Sequence, residues 1–122
     1  MVASSATLAA LREATRGRRM VRFRAKGHLR EFSPHVLGTK DGAWRLFGWQ
    51  SGGDSGSRLK AGGDWRCFAV ADIVAVETID GTWTIGPATG QYGLSCIDLI
   101  DTAADLEFAA KSLQRSRRPH DR

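Results

Sequence analysis

The chain has 122 residues, 42% of them apolar and 25% charged, with a formal net charge of +5 and a pI of about 9.9. That length suits one domain able to bury its own core, and no apolar run reaches the roughly 18 residues of a membrane helix. In "MVASSATLAALREATRGRR" the basic residues come last, the wrong order for a secretory leader, so a cytoplasmic protein with no membrane contact is the expectation.

"SSATLAALREATRGRR" predicts a short helix. Ser4 or Ser5 suits its N-cap, Leu8, Leu11 and Thr15 share a face, and Gly17 suits its end. Arg16, Arg18 and Arg19 lie near its C-terminus, where positive charge complements the helix dipole. "MVRFRAK" then alternates: Val21, Phe23 and Ala25 face one way, and Arg22, Arg24 and Lys26 the other. With Lys26-Gly27 as a two-residue turn into "HLREFSP", Arg22 falls opposite Glu31 and Val21 opposite Phe32. The same register puts Arg30 opposite Phe23 on the apolar side, so either the register slips or Arg30 reaches out at an open end of the sheet.

Pro34 is expected to end that strand, "HVLG" to form a short extended piece, and Asp41-Gly42 to turn the chain. In "AWRLFGWQ" Trp44, Leu46 and Gly48 share one face, and Arg45, Phe47 and Trp49 the other. Trp44 and Leu46 are expected in the core, and Arg45 and Trp49 on a ligand surface or partner interface. "SGGDSGSRLKAGGD" reads as a flexible linker, since it lacks the Gly-Lys-Ser/Thr ending of a phosphate loop. "WRCFAV", "DIVAVETIDG" and a short "TWTIGP" read as further strands, the second with Ile73, Ala75 and Glu77 opposite Val74, Val76 and Thr78. "ATGQYGLS" reads as a loop. "DTAADLEFAAKSLQRSRR" favours a helix capped by Thr102, although the alternation in "SCIDLIDTAADLEF" also suits a strand.

The fold class is thus mainly β: a small, strongly bent sheet or barrel with an N-terminal helix and a short C-terminal helix. The divisions are 1–19 for the N-terminal helix, 20–87 for the β core, 88–114 for a C-terminal extension and 115–122 for a disordered basic tail.

Chemistry is sparse. Cys67 and Cys96 form no C-x-x-C and are expected as buried free thiols, a cytoplasmic setting arguing against a disulfide. No two of His28, His35 and His120 have metal-ligand spacing, and no acid–base pair or nucleophile stands out. No catalytic residue, metal or cofactor is expected. What recurs is arginine among aromatics: Arg22 and Arg24 on one strand, Arg45 beside Trp44, Phe47 and Trp49 on another, Arg66 beside Trp65 and Phe68 on a third. Guanidinium grips phosphate bidentately and stacks on rings, and aromatic platforms hold bases.

The ordered motifs "VRFRAKG…REFSPHVLG…DGAWRLFGWQ…WRCFAVADIVAVE", spanning about Leu8 to Thr82, resemble the WYL domain of bacterial regulators. Trp44-Arg45-Leu46 stands at the W-Y-L position, Arg66-x-Phe68-x-Val70-x-Asp72-Ile73 at the later R-x-F-x-L-x-R-I motif, and Pro34 at the family's proline. Arg45 replaces the naming tyrosine, Ala25 stands where a tyrosine is usual, and Asp72 replaces the arginine before isoleucine. The resemblance implies an SH3-like barrel that senses ligands, nucleic acid or nucleotides foremost, and it supports Arg66 and, by position, Arg45 as binding residues. The family usually follows a helix-turn-helix domain, for which 122 residues leave no room, so a stand-alone module is expected.

The functional expectation is a non-enzymatic binding or regulatory module. It would take single-stranded nucleic acid or a nucleotide-like anion through Arg22, Arg24, Arg30, Arg45 and Arg66, helped by His35 and Trp49. The alternative is a protein-interaction or homodimerising module that uses an exposed aromatic face.

Overall fold

Two glycine turns set the register of the sheet in this computed structural model, which describes residues 3–54, 62–85 and 94–117. Lys26 and Gly27 take φ of 54° and 80°, the left-handed pair a two-residue hairpin needs, and join β1 (Val21–Ala25) to β2 (His28–Lys40). The ladder pairs Arg22 with Glu31, Val21 with Phe32 and Phe23 with Arg30, so the expected register holds without a slip. Asp41 and Gly42 repeat the device at φ 51° and 80° and join β2 to β3 (Ala43–Gly53).

β4 (Asp64–Ala69), β5 (Ile73–Thr78) and β6 (Leu99–Ala103) complete one antiparallel sheet in the order β4-β3-β2-β1-β5, with β6 paired to β2. A 3-10 turn, Val70–Asp72, carries the chain from β4 to β5. These strands stand at opposite ends of the order, about 19 Å apart were the sheet flat. Four Cα steps from Ala69 to Ile73 span at most about 15 Å, so the sheet is strongly bent. Of the expected bent sheet or barrel, the bent sheet forms, and no ladder joins β4 to β5 among the described residues.

Pro34 does not end β2. It lies beyond the end of β1, and β6 begins its pairing only at Val36, so the missing Pro34 N–H breaks no ladder. A bulge at His35 separates the pairs Pro34–Gly48 and Val36–Phe47. The gap beside it is filled by residues 82–85, which form no strand, contrary to expectation. Instead the Trp83 Nε1–H donates to the Pro34 carbonyl at 2.9 Å, and the Thr84 N–H donates to Ser33 Oγ at 3.0 Å.

β5 also departs from simple alternation. Ile73 and Val76, not Ile73 and Ala75, pack on the core, because a register shift opposite Arg22 and Arg24 puts Ala75 at φ 58°. A side chain in that left-handed conformation is strained. Ala75→Gly is expected to stabilise the protein by about 0.5–1 kcal/mol, read as a raised urea midpoint.

α1 (Ser5–Gly17) is capped by Ser4 Oγ, which accepts from the Thr7 N–H at 3.0 Å. Its left-handed terminal position falls on Arg18, at φ 54°, rather than on a glycine. In the C-terminal part strand and helix both form. Thr102 lies in β6, while Asp105 caps α2 (Leu106–Arg117) by accepting from the Phe108 N–H at 3.0 Å. α2 therefore reaches past residue 115, where the tail was expected; residues 118–122, like 55–61 and 86–93, lie outside the described residues.

The bent sheet buries side chains on both faces. The first face holds Phe23, Phe32 and Phe68, edge to face with centroids 5.4–5.6 Å apart, together with Leu46, Val70, Ile73 and Leu11 and Ala14 of α1. Trp44 packs against the edge of this cluster, as expected of it and Leu46. The second face holds Val36 and Phe47 under Leu94, Ile97 and Ala109 of the C-terminal segment. The expectation of free thiols fails here. Cys67 of β4 and Cys96 form a disulfide across 6.7 Å between Cα atoms, because Cys67 faces the segment that covers this side.

Candidate anion site

Register sorts the expected binding residues onto different faces. Arg66 pairs with Gly48, and Arg45 with Ala69. Gly48 has the parity of Leu46; a Cβ there would lie 2.7 Å from the Phe32 ring and 2.3 Å from the Ser33 carbonyl, which explains why this strand carries glycine. Arg66 therefore belongs to the first face, with Phe68, while Arg45 belongs to the second, with Phe47 and Cys67. Arg45 is half-buried, and its Nε is buried with no hydrogen-bond partner.

Arg22 lies between two carboxylates, bonded to Glu31 at 3.1 Å and Glu77 at 3.0 Å. Those hydrogen bonds hold its pKa above the ordinary guanidinium value, and a ligand anion would have to displace them. Arg24 is exposed on the same outer row.

Arg30 is 5% exposed at the end of the sheet. Its Nε and Nη2 donate to the Ala25 carbonyl at 3.3 and 3.0 Å, its Nη1 donates to Gln50 Oε1 at 3.4 Å, and its Cζ lies 4.9 Å over the Phe68 ring. The side chain thus bends back over the apolar face instead of leaving it. Burial is the main influence pulling the Arg30 pKa down, the like charge of Arg66 adds to it, and Asp54 opposes both. Asp54 itself accepts from the Leu29 N–H at 2.9 Å and lies 3.0 Å from His28 Nδ1. Two guanidiniums thus share one end of the first face, Arg66 half-buried and Arg30 beneath it. Gln50 was missed in the sequence; its buried inward parity in "GWQ" opposite an arginine-bearing strand was the available signal.

Trp49 is 8% exposed and Phe47 5%, so the second face is not the exposed aromatic surface expected. Trp65 stacks on Phe47 at 5.1 Å, meets Trp49 edge-on at 5.1 Å, and meets His35 edge-on at 5.0 Å. The bulge aims His35 at this face, where Trp83 stacks on it at 4.4 Å and Arg18 lies over Trp83 at 5.4 Å. Nδ1–H of His35 donates to the Ser33 carbonyl at 2.7 Å. Burial, aided by the positive charge of Arg18, outweighs that bond and lowers the ring's pKa to about 4, so the imidazole is neutral near pH 7. A pocket of about 90 Å³ opens beside it, lined by Arg18, Trp83, Ile85, Asp105 and Phe108.

Among the described residues no cluster of His, Cys, Asp or Glu is placed to hold a metal, and no helix is long and apolar enough to cross a membrane. The described residues form an open antiparallel sheet with Arg30 and Arg66 at one end of its first face, and the class of protein follows from the family match: a regulatory, ligand-binding type of module. The chain belongs to the WYL domain family, whose model matches residues 6–78. The match takes in α1 and β1 to β5, and residues 94–117 lie beyond it. No curated protein matches the chain.

Proposed function

We propose that the chain is a non-enzymatic sensor that takes single-stranded nucleic acid or a nucleotide-like anion at the end of its first face, with Arg66 as the contacting residue. The observation that carries this reading is the placement of Arg66 on the same end of the first face as buried Arg30, near enough for its positive charge to disfavour that of Arg30. A bound phosphate relieves that repulsion and accepts from a planar fork. Arg30, already committed to Ala25 and Gln50, supplies field and holds the Phe68 ring rather than gripping the ligand. Arg24 can add a backbone contact at the surface.

Labelled oligo-dT, titrated at several salt concentrations, tests the reading. Two phosphate contacts on a single strand predict a slope of log K against log salt of about −1.4. Arg66→Ala is expected to weaken binding roughly tenfold and to make the slope shallower by about 0.7, while Arg22→Ala leaves both unchanged. No binding at low salt, or an Arg66→Ala variant that binds like the parent chain, would defeat it.

A further inference from the structure

The disulfide joins two parts of different standing. Cys67 lies in β4, inside the WYL-matched region, and Cys96 lies in the C-terminal segment beyond the match. β4 ends the strand order, so among the described residues its ladder bonds come from β3 alone. Both sulfur-bearing residues are half-buried rather than sealed in the core, which leaves them open to an attacking thiol. The C-terminal segment has other fastenings: the β2–β6 ladder, the Arg12–Asp101 ion pair at 2.8 Å, and the Arg18 bonds to the Ala104 carbonyl at 3.0 and 3.3 Å. The fold therefore does not hang on the disulfide, and its removal acts locally on β4 and on the turn that carries Cys96. The sequence contains no third cysteine, so reduction yields two thiols with no alternative pairing within the chain.

On the opposite side of β4, the residues flanking Cys67 are Arg66 and Phe68. One is the proposed anion contact, and the other lies under the Arg30 guanidinium. We propose that Cys67–Cys96 is a thiol–disulfide exchange site with a dithiol as co-reactant, and that its oxidation state sets the affinity of the anion site across the strand. The coupling half of this inference rests on the proposed function. In the exchange, one thiolate of the dithiol attacks a protein sulfur, the Cys67–Cys96 bond breaks, and a mixed disulfide forms. The second thiol of the dithiol then displaces the remaining protein sulfur. Two electrons and two protons pass to the protein, and the dithiol leaves as its cyclic disulfide.

The test treats the folded 122-residue chain with dithiothreitol without denaturant. Alkylation is expected to rise from zero to two labels, and amide exchange in residues 64–69 and 94–98 to quicken at least tenfold more than in β1 and β2, whose exchange follows the global loss of stability. Failure of reduction in the folded state, or exchange in those segments that quickens no more than in β1 and β2, overturns the exchange site. Oligo-dT affinity is then compared for the oxidised chain, the reduced chain and a Cys67→Ser/Cys96→Ser variant. Both open forms are expected to bind at least fivefold more weakly. Equal affinities overturn the coupling. Absence of binding in every form defeats the proposed function and with it the coupling, and the alkylation and amide-exchange results alone then decide the exchange site. Chemical reduction of the parent chain keeps the question decidable if the double variant does not fold.

Discussion

Loss of the Cys67–Cys96 disulfide is expected to destabilise the protein by about 3–4 kcal/mol. The bond closes a sequence separation of 29 residues, and cross-linking a loop of that size removes conformational freedom chiefly from the unfolded chain. The native contacts on the second face survive, since Leu94, Ile97 and Ala109 pack on Val36 and Phe47 through side chains other than the cysteines. In a domain this size the loss corresponds to a fall in Tm of roughly 10–15 °C. Thermal unfolding with and without reductant measures it, and Cys67→Ser/Cys96→Ser should reproduce the reduced value. A shift below about 3 °C would mean that the bond does not constrain the unfolded ensemble, or that it strains the native one.

Acidification is expected to cost about 3 kcal/mol more through His35. Its pKa is about 4 when folded against an ordinary value of 6.5, a difference worth about 1.4 kcal/mol per unit. Between those two values the unfolded chain binds the proton and the folded chain does not, so stability rises with pH across the window. The contribution is fully present above about 6.5, is lost progressively as pH falls, and is gone below about 4. The groups facing the ring fit this sign: Arg18 repels a second positive charge, while Trp65 and Trp83 exclude water. Asp105 shares the adjoining pocket, but as the α2 cap its carboxylate accepts from the Phe108 N–H. Urea unfolding at pH 7, 6, 5 and 4 gives the profile, and His35→Gln should flatten it over this window. The Asp101 carboxylate, held below its ordinary pKa by hydrogen bonds from Arg12, also contributes stability that is lost on acidification. Its loss begins only near the ordinary carboxylate range, so the two are separable. A parent profile flat from pH 6.5 to 4.5 would show that His35 is solvated.

The two cases share an origin. Cys67 and His35 are both aimed at the second face, and both owe their properties to what covers it. Nothing in "WRCFAV" says that Cys96 will lie above Cys67, and nothing in "SPHVLG" says that a bulge will turn His35 under Trp83. Arg30 is similar. Its place opposite Phe23 was legible, but its return to the Ala25 carbonyl depends on Phe68 and Gln50, which arrive from other strands.

What the sequence determined by itself was local. Lys26-Gly27 and Asp41-Gly42 adopt left-handed conformations that glycine favours, and a two-residue turn leaves one register, so pairings from Val21–Phe32 to Lys40–Ala43 follow from neighbouring residues alone. Ser4 capping α1 and the inward parity of Leu46 are of the same kind. Tertiary structure decided the rest: the bulges at His35 and Ala75, the covering of Phe47 by residues 94–117 and of Trp49 by Trp65, the disulfide, and the separation of Arg45 from Arg66 by a sheet. Alternation places a side chain on a face, but burial, charge and reactivity depend on what packs over that face. For Phe47 the cover comes from chain some 50 residues away.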